Sequence, residues 1–109
     1  MEHIGKVFLS MIIVKFALAS GPIKAQETNQ TGKGLALAQK VCAECHAIDK
    51  RQVRSPNPAA PRFEAVANSP GMSAIALTVA LQTSHPTMPN LMLDSEELRN
   101  IVAYILSLK

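Results

Sequence analysis

The sequence predicts an all-α fold, and three observations carry that expectation. Apolar residues near the C-terminus recur at helical spacing. No stretch alternates apolar and polar residues long enough to make a strand. The prolines fall between the helical stretches rather than inside them. At 109 residues the chain has room for one small domain.

The first segment, residues 1–25, reads as a secretory signal. A short charged start leads into the mostly apolar run Val7–Val14, then Lys15, then Phe16–Ala19. Cleavage is expected after Ala25, with Ala19 as the alternative, leaving residues 26–109 as the working domain. If the segment is retained, it becomes a membrane anchor, although its uncharged runs are shorter than the roughly 18–20 residues a spanning helix needs. The expected location is therefore the periplasm.

Charge adds an exclusion. The formal net charge is +3. Most of that excess is Lys6, Lys15 and Lys24 against Glu2 in the leader, and the remainder is nearly balanced. With no Trp and a single Tyr, the chain lacks both the basic stripe and the stacking rings of a nucleic-acid binder.

Gln26–Thr31 is polar and is expected to fray. A helix fits residues 32–42, with Thr31 as its cap and Leu35, Ala38, Val41 and Cys42 on one side. Residues 47–60 carry charges and prolines and read as a loop. Pro61-Arg62-Phe63 leads into a short helical segment through Ala67, and Asn68-Ser69-Pro70-Gly71 marks a turn. Ser73 then caps a helix to about Thr83, with Ile75, Val79 and Leu81 as apolar positions. Residues 85–90, His-Pro-Thr-Met-Pro-Asn, cannot be helical because two prolines bracket the methionine. Asp94 and Glu97 form a capping box for the last helix. Along it Leu98, Ile101, Val102, Ile105 and Leu108 make one apolar face.

The chemistry concentrates in Cys42-Ala43-Glu44-Cys45-His46, which holds both cysteines of the chain. Positions i, i+3 and i+4 face one way on a helical turn. Two thiols so placed can add across the two vinyl groups of one haem, and the histidine can then reach its iron. Cys-x-x-Cys-His is the attachment signature for c-type haem. A disulfide between these cysteines would close too small a loop to brace a domain. A thioredoxin-like redox pair would need a βαβ context. A structural zinc site would need four ligands, and His3 and His85 are the only other histidines.

An iron held by His46 has a sixth position, for which Met72, Met88, Met92 and His85 are the candidates. Met88 is the expected ligand, because Pro86 and Pro89 stiffen the chain around a weak thioether donor. His85 is its strongest rival. Met72 and Met92 read as packing residues. A position left open would instead suit a haem enzyme or sensor.

With an attachment motif after a first helix, a Thr-Met-Pro loop and a capped last helix, residues 30–109 resemble the class I c-type cytochromes. The resemblance implies a small cytochrome c fold of three to four helices around one covalent haem c with its iron. It implies that Gly34 lets the first helix cross the last closely. It also implies that the Pro61 carbonyl holds the His46 imidazole, and that Tyr104 is the aromatic of the last helix, so both join the expected cofactor-binding set. Two positions depart from the family pattern: Ala38 stands where an aromatic is usual, and Ala60 where a glycine precedes the proline.

The expected function is an electron carrier, not an enzyme, exchanging single electrons with redox partner proteins. A dedicated haem subunit of a periplasmic dehydrogenase or oxidase is the alternative, and an open-site haem enzyme or sensor is another. Lys40, Lys50, Arg51, Arg54 and Arg62 either steer an acidic partner or are solvated loop charges set against Glu44, Asp49 and Glu64.

Overall fold

A computed structural model describes residues 23–109. Four helices follow in order: α1 (Ile23–Val41), α2 (Phe63–Ala67), α3 (Ala74–Gln82) and α4 (Ser95–Leu106). Among the described residues there is no strand, only an isolated bridge between His85 and Met88. The expected leader lies outside the described residues up to residue 22. Its favoured cleavage point, Ala25, falls within α1.

The first helix differs from the sequence expectation. It begins at Ile23, and Gln26–Thr31 belongs to it rather than fraying. No proline or glycine interrupts residues 23–31, and the polar side chains feed the helix instead of breaking it. Thr28 Oγ1 donates to the Lys24 carbonyl at 2.8 Å, and Thr31 Oγ1 to that of Thr28 at 3.0 Å. Thr31 is thus an interior residue, not a cap. These first turns are exposed, and the buried face begins at Gly34.

That face is built from small residues four apart. Gly34, Ala38 and Cys42 are all buried, with Ala38 at 0% exposure. α1 crosses α4 on them, at the most extensive helix contact in the fold. A Cβ on Gly34 would lie 2.5 Å from Tyr104 Cβ and 2.8 Å from the Asn100 carbonyl carbon, closer than any real contact. Ala38, in place of the aromatic usual in the family, lets the same close approach continue for another turn.

α4 supplies the core side of this contact with Ile101, Val102, Tyr104 and Ile105. Burying each aliphatic side chain stabilises the fold by roughly 1.5–3 kcal/mol before entropy is charged against it. Its start is fixed as the capping box requires. Asp94 Oδ1 accepts from the Glu96 and Glu97 backbone N–H groups, both at 2.8 Å, and Glu97 Oε2 accepts from the Asp94 N–H at 3.0 Å.

α3 is capped by Ser73, whose Oγ accepts from the Ala76 N–H at 3.1 Å. Not all of its apolar positions are buried. Leu77 is the core residue, while Ile75 and Val79 are 78% and 57% exposed. The helix, Ala-Ile-Ala-Leu-Thr-Val-Ala-Leu-Gln, is apolar nearly all round, so its periodicity does not select a face. Packing selects it, through Leu77 and Leu81.

Candidate functional site

The helix-to-loop transition after Val41 positions the first three site residues. Cys42 donates its N–H to the Ala38 carbonyl at 2.9 Å, and the Ala43 N–H reaches the same carbonyl, closing α1. The Cys42 carbonyl then accepts from Cys45 at 3.1 Å and from His46 at 2.9 Å. One further turn therefore carries both thiols and the imidazole round to the same side. All three line one cleft.

The loop from residue 47 to 60 holds this turn in place, chiefly through side chains. The Ala47 N–H donates to Ser55 Oγ at 3.0 Å. Gln52 Oε1 accepts from Ile48 at 2.8 Å and Asp49 at 3.1 Å. The Cys45 carbonyl receives the Asn57 N–H at 3.1 Å. Each bond satisfies a backbone group that a helix or sheet would otherwise have paired.

His46 is oriented from behind. Its Nδ1 lies 2.7 Å from the Pro61 carbonyl oxygen. A carbonyl oxygen can only accept, so Nδ1 carries the proton and Nε2 keeps its lone pair for a metal. Phe63, two residues beyond Pro61, sets its ring 5.3 Å from the imidazole at a tilt of 43°. Phe63 is anchored in turn by its N–H, which donates to the Ala47 carbonyl at 2.9 Å. Its place just after Pro61-Arg62 is the only signal of this role in the sequence.

The far wall is the chain between α3 and α4. Met88 donates its N–H to the His85 carbonyl at 3.3 Å, closing a turn with Pro86 at its second position. Both Met88 and His85 line the cleft that holds Cys42, Cys45 and His46. The rival methionines do not. Met92 is 91% exposed, and Met72 packs against the hydrophobic core. Leu77, Leu81, Ile101 and Ile105 close the floor. The cleft has a volume of about 250 Å³, opens to solvent at its mouth and is lined mostly by apolar side chains.

Tyr104, expected among the cofactor-binding residues, is not among those lining the cleft. It lies at the α1–α4 crossing, and its hydroxyl donates to the Ile48 carbonyl at 2.6 Å in the buried interior. Burial, and secondarily the Asp49 charge, push its phenol above the usual range, so it remains a donor.

The charges are more locally paired than the basic count suggests. Arg51 bonds to Asp49 and Arg62 to Glu64 within the same loop region. Lys50 is spent on the Lys109 carbonyl. Among the described residues no three His, Cys, Asp or Glu side chains converge as a metal-holding group. The thiol-redox reading meets an obstacle. Burial pushes the Cys42 thiol up to about 11, whereas a redox cysteine needs a lowered value.

A donor set of two thiols and one imidazole with a free Nε2, facing an apolar hollow closed by a thioether, fits a covalently attached haem. Comparison with known proteins points the same way. The family model for cytochrome c matches residues 30–109. A curated relative, cytochrome c-552 of Bradyrhizobium diazoefficiens, is 35% identical over 98 residues, covering 90% of this chain and 92% of its own. No solved structure matches the chain.

Proposed function

The chain belongs to the cytochrome c family, and from that premise we propose a periplasmic carrier of single electrons whose haem is joined through Cys42 and Cys45 and ligated by His46 and Met88. The coarser statements follow directly from membership. The fold is the small all-α cytochrome c fold, the cofactor is covalent haem c with its iron, and the role is electron transfer with redox partners. When bound, the haem supplies a one-electron ferric/ferrous couple.

The observation that carries the finer reading is that one cleft gathers Cys42, Cys45, His46 and Met88 from elements far apart in sequence. Pro61 fixes the imidazole by accepting from Nδ1, which leaves Nε2 as the nitrogen available to the iron. Pro86 and the 85–88 turn present Met88 to the same cleft. Leu77, Ile101 and Ile105 exclude water, and an apolar surround with a Met/His pair favours the reduced state. On the His46 side, a packed floor and a held imidazole mean that little has to move when the charge changes. Lys40 and Arg54, outside the local ion pairs, remain as charges that can bias the approach of an acidic partner.

Export rests on the reading of residues 1–25 as a signal. No helix among the described residues is long and apolar enough to cross a membrane. The reading is tested with Cys42→Ala and Cys45→Ala variants expressed with a haem-attachment system. Each should weaken haem retention through acid-acetone extraction, and the wild-type haem should be found in the periplasmic fraction. Haem retention unaffected by either change would sink the attachment.

A further inference from the structure

The 85–88 turn offers two iron-binding side chains to one cleft. His85 and Met88 are paired as an antiparallel bridge, so their side chains share a face of the turn. Residues paired in this way hold their Cβ atoms only about 5 Å apart. Both are cleft-lining. Imidazole binds haem iron at least as readily as a thioether does.

The segment that carries them is lightly held. Between the end of α3 and the Asp94 cap it is mostly exposed. Among the described residues, the hydrogen bonds within 84–91 are the 3.3 Å turn bond and a 3.2 Å contact from Ser84 Oγ to Asn90 Oδ1. Segments with few buried contacts are those that rearrange at least cost. We propose that His85 is a reserve axial ligand, which takes the sixth position from the same turn when the Met88 thioether is lost. The proposal rests on the reading of Met88 as the resident ligand.

Two consequences follow. The position stays filled, so the protein does not become an open-site haem that binds small molecules. A His/His pair also lacks the potential-raising thioether, so the reduction potential falls when the exchange occurs. The turn is then a device that shuts down electron delivery at high potential without opening the iron.

The test uses the holoprotein at one fixed neutral pH, with Met88→Leu, Met88→Ala and Met88→Leu/His85→Ala variants. Wild type should show the long-wavelength sulfur-to-iron band, and its absence would overturn the Met88 reading itself. Both single variants should lose that band, stay low-spin and show a lower potential. The double variant should become high-spin and bind carbon monoxide when reduced. A tethered imidazole competes at millimolar effective concentration or more, so added imidazole should bind the double variant at least about tenfold more tightly than Met88→Leu. High-spin single variants would overturn the reserve role, as would a double variant that stays low-spin. The use of two single variants guards against either one failing to fold.

Discussion

Replacing Gly34 with alanine tests the helix crossing that shapes the whole site. In an exposed helix the change would be favourable, because alanine stabilises a helix interior by about 0.5–1 kcal/mol relative to glycine. At position 34 the new methyl would sit 2.5 Å from Tyr104 Cβ and 2.8 Å from the Asn100 carbonyl carbon. The obstacle includes α4 backbone, which cannot rotate away, so the overpacking cost belongs near the top of its usual range, about 3 kcal/mol. The net loss is then about 2 kcal/mol, or roughly 8–16 °C in melting temperature for a domain of this size. Gly32 is the control on the same helix. Nothing lies within 4 Å of a Cβ placed there, so Gly32→Ala should raise the melting temperature by a few degrees. Thermal unfolding of the two holoproteins, followed by helical circular dichroism, gives the comparison. Equal stabilisation by both changes would refute the close α1–α4 crossing.

Other changes probe separate parts of the account. Tyr104→Phe removes the buried bond to the Ile48 carbonyl and should cost about 1–3 kcal/mol by denaturant unfolding, with the iron's spectrum unchanged because the ring lies outside the cleft. Asp94→Ala removes the cap of α4 and should cost about 1 kcal/mol, again without a spectral change. Arg51 holds the Asp49 carboxyl down to about 2, mainly through their side-chain hydrogen bond. A depressed carboxylate stabilises the fold above its unfolded value and ceases to do so as pH falls toward 2. Arg51→Ala should therefore move the Asp49 titration back toward the ordinary carboxylate range, read by carboxyl-carbon NMR, and the share of the acid-induced loss of stability that Asp49 contributes between about pH 4 and about pH 2 should shrink.

Much of this fold was legible because its signals are local and redundant. The last helix announced itself twice, through the Asp94–Glu97 box and through a period running from Leu98 to Leu108. Ser73 marked α3 with equal clarity, but a helix apolar on nearly every side conceals which face it buries, and only tertiary packing turned Leu77 inward. The start of α1 was missed because polar residues read as fraying, although Thr28 and Thr31 bond back into the helix.

The site divides in the same way. Cys42, Cys45 and His46 are adjacent in sequence, and one helical turn brings them together. The placement of Met88 and His85 on the same wall, with Met72 and Met92 kept off it, depends on how α3 and α4 dock, and spacing alone does not reveal that. Ser55 and Gln52, which staple the loop behind the histidine, gave no signal at all.

The central claim is a covalent haem with a thioether as sixth ligand, and visible spectra of the purified holoprotein test it most directly. The account predicts haem that survives acid-acetone extraction, low-spin spectra in both oxidation states, and the sulfur-to-iron band in the oxidised form. Extractable haem would contradict attachment through Cys42 and Cys45. A high-spin spectrum, or a low-spin one lacking that band, would contradict Met88.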